Sequence, residues 1–190
     1  MRLGRAVLGT ARTVDEVDRY LDTDAGHLTV ARWACRLRSR EGTTRISLKG
    51  PPSSSDQDWR HSRPEVEGAA TSTIDPDGWP PSPALDLLTR LSDGRPLVER
   101  VRLEQARTER SVALDDGTPI GTLTLDRVRM SSGETDLGDL YIVELELDPA
   151  SDAGERELDD LAAELESTRG LVAEPLSKLE HALARLSSPE

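Results

Sequence analysis

The sequence is poor in aromatic residues, and this limits what can fill its core. It contains no phenylalanine, and aromatic side chains make up 3% of its 190 residues. Leucine, valine, alanine and isoleucine must therefore supply the core, with Trp33, Trp59 and Trp79 as its large apolar anchors. A chain of this length can bury a core of its own, and we expect residues 1–190 to form a single domain.

Cysteine and long apolar runs are also scarce. Cys35 is the single cysteine, so the chain cannot build an internal disulfide framework or a zinc-cysteine cluster. Its alternation with Trp33 and Leu37 favours a core thiol over a nucleophile. The chain shows neither the apolar run of a signal peptide nor a segment long enough to cross a bilayer. These features predict a cytoplasmic protein without a membrane partner.

Positive charge is in deficit, because 24 lysines and arginines face 36 aspartates and glutamates and the net charge is −12. A surface that binds nucleic-acid polymers is normally basic, so the composition argues against such a partner. Net charge says nothing about where individual charges lie. An internal basic pocket therefore remains compatible with this composition.

The clearest local pattern is an alternation with a period of two over residues 31–40, with apolar residues on one face and arginines on the other. This period predicts a strand, and a similar pattern over residues 44–49 predicts its hairpin partner. The other predicted elements are a short strand from Arg63, a helix over 82–94, strands over 97–114, 120–130 and 140–148, and helices over 152–169 and 175–186, with loops over 50–62, 68–81 and 131–138. The pattern predicts a mainly-β α+β fold.

Charged residues line one face of several predicted strands. A sheet with one solvated face would explain this pattern. The charges are nevertheless segregated by sign: the hairpin carries Arg36, Arg38 and Lys49, whereas the strand over 140–148 carries Glu144 and Glu146. Arginine and lysine suit phosphate oxygens, and carboxylates suit Mg²⁺ or Mn²⁺. If the sheet closed into a barrel, both sets could line one lumen and hold a triphosphate with a metal.

Seven short motifs, in order from about Tyr20 to the C-terminus, resemble those of the CYTH superfamily, the triphosphate tunnel metalloenzymes. They read YLDT at 20–23, WACRLR at 33–38, ISLKGP at 46–51, RTER at 107–110, LTLD at 123–126, VELE at 143–146, and SK with a following AL at 177–183. The superfamily includes class IV adenylate cyclases, thiamine triphosphatases and inorganic triphosphatases. The resemblance implies one CYTH-like domain, an antiparallel β-barrel that forms a tunnel and is flanked by helices.

The resemblance also implies roles for individual residues. The implied phosphate ligands are Arg36, Arg38, Lys49, Arg107 and Lys178, of which Lys178 is also the candidate catalytic residue. The implied ligands of Mg²⁺ or Mn²⁺ are Glu144, Glu146 and Asp126. Arg110 is a further candidate for substrate binding, but its odd spacing from Arg107 puts it on the opposite face of a regular strand unless a bulge intervenes.

The sequence departs from the CYTH pattern in two ways. The E-x-E-x-K signature of the first strand does not occur before Tyr20, and residues 1–19 resemble the segment that normally follows that strand. A late start codon, a truncated chain or a lost motif would each explain this. Gln105 and Thr122 stand where many relatives carry a charged residue. Both departures bear more on catalysis than on fold.

Two function classes remain open on these grounds. The first is a metal-dependent phosphohydrolase that acts on tripolyphosphate or an organic triphosphate, with an adenylate cyclase ranked below it because no motif reads a nucleobase. The second is a non-catalytic module that binds polyphosphate or a nucleotide, which the missing first-strand motif favours. The expected partner is a triphosphate-containing small molecule or polyphosphate. The sequence leaves the oligomeric state open, with a homodimer among the alternatives.

Overall fold

The computed structural model describes residues 1–51, 63–148 and 155–187. Its strands are β1 (Arg2–Leu3), β2 (Ala6–Leu8), β3 (Arg12–Thr23), β4 (Ala34–Arg40), β5 (Thr43–Lys49), β6 (Glu65–Ala70), β7 (Leu97–Ala113), β8 (Pro119–Ser132) and β9 (Thr135–Leu147). Its helices are α1 (His27–Val30), α2 (Pro83–Ser92), α3 (Glu155–Arg169) and α4 (Lys178–Ser187), with a 3-10 turn at Pro76–Gly78. The mainly-β α+β fold class predicted from the sequence is confirmed.

The described strands form one sheet in the order β1-β2-β7-β3-β4-β5-β6, and β8 pairs with both β7 and β9. The pairs β3–β4, β4–β5 and β5–β6 are all antiparallel. Within the described part of the chain, β6 and β9 each pair with a single neighbour. Closure of the sheet into a barrel therefore stays a prediction.

The chain divides into two compact units, which we call the larger and the smaller unit. The larger unit comprises Asp15–Gln105, Val128–Leu140 and Pro175–Glu190, and the smaller unit comprises Met1–Val14, Ala106–Arg127 and Tyr141–Glu174. Each unit has its own apolar core. That residues 1–190 act as one CYTH-like domain remains a prediction.

The core of the larger unit lies between the strands β4 and β5 and the helix α2. Its fully buried side chains include Leu37, Ile46, Leu48 and Leu88. Helix α2 packs on β5 and β6. Cys35 is part of this core, and burial raises the pKa of its thiol to about 12, which confirms a buried thiol and argues against a nucleophile.

The smaller unit buries a separate core built from short strands and one helix. Leu3 of β1, Leu8 of β2, Val112 of β7 and Ile120 of β8 form its centre, and Leu161 brings in α3. Helix α3 packs against β1. Leu161 and Leu165 of this helix therefore contribute to the core of the smaller unit.

The structure corrects several predicted boundaries. Strand β4 begins at Ala34 and not at residue 31, because α1 ends at Val30 and Arg32 adopts a φ of 61°, outside the β region. Strand β6 continues to Ala70, into the predicted loop. The predicted loop over 131–138 is also wrong, because β8 and β9 extend into it and are joined by a turn at Gly133, where φ is 56°.

Strand β6 can accommodate α2 closely because Gly68 has no side chain. A Cβ atom at this position would lie 2.2 Å from Oγ of Ser82. Ser82 is the N-cap of α2, and its hydroxyl accepts a hydrogen bond from the backbone N–H of Leu85 at 3.2 Å. The helix start predicted from Ser82 is confirmed.

Two further observations concern the length of the described helices and the predicted elements that lie partly outside the described residues. None of the helices that the structure describes is both long enough and apolar enough to span a membrane. Trp59, residues 52–62 of the predicted loop and residues 152–154 of the predicted helix lie outside the described residues.

Candidate functional site

Two buried carboxylates on β3 face the arginines of β4 in the larger unit. Glu16 and Asp18 are each 1% exposed, although acidic side chains are rarely buried without a partner. The antiparallel register places Glu16 opposite Arg40 and Asp18 opposite Arg38. Side chains alternate on both strands, so the acids and the arginines share one face.

This face is not the solvated surface that was the simpler interpretation of the sequence. The side chain of Arg36 is 13% exposed and that of Arg38 is 21% exposed. A solvated strand face would leave such long side chains largely in water. The arginines of β4 are therefore partly buried and paired with carboxylates, whereas their orientation toward a lumen stays a prediction.

Arg38 makes a bidentate ion pair with Asp18. Its Nε donates to Oδ1 and its Nη2 donates to Oδ2, both at 2.7 Å, and Nε2 of Gln105 donates to the same Oδ2 at 2.9 Å. Burial alone would raise the pKa of Asp18, but the hydrogen bond from Arg38 and the positive charges of Arg36, Arg38 and Lys178 hold it below its usual range. Asp18 is therefore ionised at neutral pH.

Arg36 and Lys49 meet at a second carboxylate, Glu65 of β6. Nε of Arg36 donates to Oγ of Ser47 at 3.2 Å, and its Nη2 donates to Oε1 of Glu65 at 3.4 Å. Nζ of Lys49 lies 3.3 Å from Oε2 of Glu65. Nη1 of Arg36 also lies 3.9 Å from Asp18. The three cations that the hairpin pattern singled out therefore belong to one connected cluster.

Lys178 joins this cluster from the start of α4. It is 7% exposed, and its charge helps to lower the pKa of Asp18. The helix begins with a reciprocal cap: the N–H of Ser177 donates to Oε2 of Glu180 at 2.8 Å, and the N–H of Glu180 donates to Oγ of Ser177 at 3.3 Å. This cap fixes the first turn and with it the backbone of Lys178.

The smaller unit contains a separate charged group centred on Arg107. Its Nε donates to Oδ1 of Asp126 at 2.9 Å, and its Nη2 donates to Oδ2 of Asp126 at 2.6 Å and to Oε2 of Glu144 at 3.0 Å. The side chains of Arg107 and Asp126 are 10% and 0% exposed, whereas that of Glu144 is 44% exposed. Arg107 thus donates hydrogen bonds to two carboxylates that differ strongly in burial.

Arg110 points to a different part of the smaller unit. Its Nη1 donates to the backbone oxygen of Gly9 at 2.7 Å. Together with Met1, Leu8 and Thr10 it lines an open cavity of about 570 Å³. The structure therefore gives Arg110 a backbone contact, and its role in substrate binding stays a prediction.

The metal ligands implied by the family resemblance do not form a preformed cage. The described residues contain no group of three or more histidine, cysteine, aspartate or glutamate side chains that could hold a metal ion. Glu144 and Glu146 are exposed and stand two residues apart on β9, so they share a face. Mg²⁺ is commonly held by one or two carboxylates, with water and phosphate oxygens completing its shell. The pair fits a metal that binds together with a phosphate ligand.

Asp126 differs from this pair because both of its carboxylate oxygens accept hydrogen bonds from Arg107. A metal at Asp126 would have to compete with a buried guanidinium. Its assignment as a metal ligand stays a prediction.

Glu16 and Asp18 were not singled out by the sequence analysis, although the segment DEVD carries acids at a spacing of two just before the YLDT motif. The same spacing occurs in the arginines of β4. Gln105 appeared in the sequence only as a departure from the CYTH pattern, and the structure shows it bound to Asp18. If the two segments with this spacing had been treated as neighbouring antiparallel strands, the sequence would have suggested that the acids face the arginines.

A family model decides the classification. The model described as the CYTH domain matches residues 7–183. This chain belongs to the CYTH family. All candidate phosphate and metal ligands discussed above lie within the matched CYTH span.

Solved structures agree with the CYTH fold. A Bacillus halodurans protein provisionally named an adenylate cyclase is 16% identical, with a TM-score of 0.61 over 97% of this chain and 100% of its own. A Hippeastrum protein provisionally named an adenylyl cyclase, for which a dominant triphosphatase activity is described, is 17% identical, with a TM-score of 0.62 over 91% of this chain and 83% of its own. At this level of identity the likeness shows the fold alone. No curated protein matches the chain significantly.

Proposed function

We propose that this CYTH protein is a divalent-metal-dependent triphosphatase that acts on inorganic tripolyphosphate or an organic triphosphate. CYTH family members are triphosphatases or cyclases and in general depend on divalent metal ions. The observation that carries the proposal is the charged cluster of the larger unit. Among the described residues it sets five cations against four carboxylates, an excess of positive charge in a chain whose net charge is −12. Its members are Arg36, Arg38, Arg40, Lys49 and Lys178 with Glu16, Asp18, Glu41 and Glu65.

A partly buried excess of positive charge favours a polyanion as the ligand. Arg36 and Arg38 suit phosphate oxygens because a guanidinium can offer two parallel N–H groups to one phosphate. Lys49 is 39% exposed and contributes a point charge at the more accessible side. Lys178, buried at the start of α4, stabilises negative charge that develops on a phosphoryl oxygen. Glu144 and Glu146 would hold the metal ion, which when bound neutralises charge on phosphate oxygens.

The direct test is phosphate release from tripolyphosphate, ATP and thiamine triphosphate in the presence of Mg²⁺ or Mn²⁺. We expect hydrolysis of at least one of them, and chelation of the metal should abolish it. The absence of release from every substrate, with the protein folded and metal in excess, would contradict the triphosphatase proposal.

Binding of tripolyphosphate tests the cation cluster separately from hydrolysis. Arg38→Ala and Lys49→Ala each remove a charge-assisted phosphate contact, which is worth about 1.5–3 kcal/mol, or roughly a tenfold to hundredfold loss of affinity. Because Lys49 is more exposed than Arg38, the loss of affinity for Lys49→Ala should lie at the lower end of this range. The control is Arg129→Ala, which removes a 62% exposed arginine that lies 3.8 Å from Asp139. Calorimetry that gives the same affinity for all three variants would contradict the roles given to Arg38 and Lys49.

A non-catalytic module that binds polyphosphate or a nucleotide is the second candidate. It is favoured by Asp126, one of the implied metal ligands, because both of its carboxylate oxygens accept hydrogen bonds from Arg107. This candidate predicts tripolyphosphate binding without phosphate release under any metal. An adenylate cyclase, the third possibility, would instead release pyrophosphate from ATP and form cyclic AMP.

We further propose a cytoplasmic protein whose partner is a small triphosphate or polyphosphate and not a nucleic-acid polymer. The single buried cysteine and the negative net charge support these two points. Fractionation of cells for the location, and titration with duplex DNA and RNA for the partner, would test them.

A further inference from the structure

One edge of the Arg38 guanidinium is fully engaged within the protein. Nε and Nη2, which form one side of the planar group, donate to the two oxygens of Asp18, both at 2.7 Å. Glu16 adds an oxygen 3.3 Å from the same Nε. A guanidinium has five N–H donors in a fixed fork. The pairing with Asp18 uses two of them and leaves the Nη1 edge able to meet a further acceptor.

Asp18 is itself held firmly. It is 1% exposed and stands opposite Arg38 in the register of β3 and β4. Gln105 is 3% exposed and donates its amide N–H to Oδ2 of Asp18 at 2.9 Å. The carboxylate therefore accepts hydrogen bonds on both oxygens, from the buried Gln105 and from the half-buried Arg38. Such an arrangement restricts the rotation of the Arg38 side chain.

A buried negative charge inside a phosphate-binding cluster requires a physical reason, because it repels the ligand that the cluster attracts. A carboxylate at any nearby position would be enough to reduce the positive charge of the cluster when no ligand is bound. The bidentate geometry goes beyond charge neutralisation, because it also fixes the plane and the direction of the guanidinium. Preorganisation of this kind reduces the entropy that is lost when a ligand binds.

The same geometry occurs independently in the smaller unit. Arg107 presents its Nε and Nη2 to the two oxygens of Asp126, at 2.9 and 2.6 Å, and Asp126 has no exposed side-chain surface. In both units a candidate phosphate-binding arginine is thus anchored through one edge by a fully buried aspartate.

We propose that Asp18 is a positioning residue, which holds the Nε edge of Arg38 so that the Nη1 edge is presented to a phosphate group. The inference rests on the triphosphate site proposed above. It assigns Asp18 a role in the geometry of binding and not in contact with the ligand.

The test is a double-mutant cycle on binding of tripolyphosphate, measured by calorimetry in the presence of EDTA. Arg38→Lys keeps the charge but loses the fork, so in the presence of Asp18 it should weaken binding about tenfold. In the Asp18→Asn background the same change should weaken binding by no more than about twofold, because Arg38 is no longer held. The charge removed by Asp18→Asn acts on arginine and lysine alike and cancels in the comparison.

Asp22→Asn is the matched control, because Asp22 is a buried carboxylate on the same strand. Its partners are backbone N–H groups and the hydroxyl of Thr29. In this background Arg38→Lys should still weaken binding about tenfold. If Arg38→Lys weakened binding by an equal factor with Asp18 present and in the Asp18→Asn background, with binding intact, the positioning role alone would be overturned. Failure of the unaltered protein to bind tripolyphosphate, both in EDTA and with Mn²⁺ present, would overturn the proposed triphosphate site and, with it, this role.

A measurement on the unaltered chain covers the case in which Asp18→Asn does not fold. The Nε–H signal of Arg38, assigned by its loss in Arg38→Lys, should be visible by nuclear magnetic resonance and exchange slowly with water. It should stay protected when tripolyphosphate saturates the protein. Loss of this protection on binding would show that phosphate displaces Asp18, and the inference would be wrong.

Discussion

Arg107 offers a sharp prediction because its two carboxylate partners differ in burial and in geometry. Asp126 has no exposed side-chain surface and accepts hydrogen bonds on both oxygens, whereas Glu144 is 44% exposed and accepts one, at 3.0 Å. Asp126→Asn and Glu144→Gln are matched isosteric changes, each of which removes one negative charge from the same guanidinium. We expect them to have very different consequences for stability.

The magnitudes follow from burial. Removing one partner of a buried ion pair costs about 3–5 kcal/mol, and after Asp126→Asn the exposed Glu144 compensates the charge of Arg107 only in part. An exposed ion pair is worth about 0–1 kcal/mol, and after Glu144→Gln the guanidinium keeps its fork to Asp126. The free energy of unfolding of a domain of this kind is about 5–15 kcal/mol. Asp126→Asn should therefore lose a large part of it, whereas Glu144→Gln should keep nearly all of it.

The assay is urea denaturation of both variants, with Glu146→Gln as the control on the exposed face of β9. We expect the free energy of unfolding to fall by about 3–5 kcal/mol for Asp126→Asn and by less than about 1 kcal/mol for the other two. Equal losses for Asp126→Asn and Glu144→Gln, or a loss below about 1 kcal/mol for Asp126→Asn, would refute the reasoning.

The same variants separate the metal ligands from the ion pair. Titration of Mn²⁺ with tripolyphosphate present, corrected for metal bound by free ligand, should show weaker binding for Glu144→Gln/Glu146→Gln. If the double variant keeps the full coupling between metal and tripolyphosphate, these glutamates are not the ligands. If Asp126 is also a ligand, Asp126→Asn, studied where it is folded, should weaken Mn²⁺ binding as well, and an unchanged affinity would count against that assignment.

Two further predictions concern stability. Burial would raise the pKa of Asp22, but its hydrogen bonds from Thr29 and from the N–H groups of Leu28, Thr29 and Thr23 hold it below its usual range. A depressed pKa stabilises the fold above the unfolded-state value of about 3.9 and ceases to do so as the pH falls. Urea denaturation should therefore show a stability gap between the unaltered protein and Asp22→Asn that is largest above about pH 5 and narrows below about pH 4; a gap independent of pH would contradict this. Gly121→Ala should cost about 1–3 kcal/mol, because its Cβ would lie 1.9 Å from the backbone oxygen of Glu146. Gly78→Ala, which meets no atom within 4 Å, is its control, and equal melting temperatures for the two would count against the close approach.

Local patterns in the sequence predicted the hairpin and the C-terminal helix that carry the candidate cations of the larger unit. The period of two in β4 and β5 predicted the hairpin, and the turn at its tip has positive φ angles at Glu41 and Gly42, of 48° and 76°. Short motifs in order along the chain predicted the CYTH family, which the match over residues 7–183 confirms. Both signals are properties of neighbouring residues, so they can be read without knowledge of distant contacts.

The partners of the arginines could not be read in this way. Asp18 and Arg38 are twenty residues apart in sequence and meet only because β3 and β4 pair in one register. A shift of one residue would place Asp18 on the other face of its strand. Gln105 reaches Asp18 across a sequence separation of 87. Its role depends on the pairing of distant strands, which no local pattern specifies.

The sequence by itself thus determined the family, the mainly-β fold class and the identity of the cationic residues, because strand periodicity and short motifs are local. The tertiary structure alone decided which carboxylate each cation meets. It placed the arginines of β4 beside the buried Glu16 and Asp18, and it bound both oxygens of Asp126 to Arg107. Burial and long-range register control these pairings, since a charged side chain becomes buried only where the fold supplies its partner.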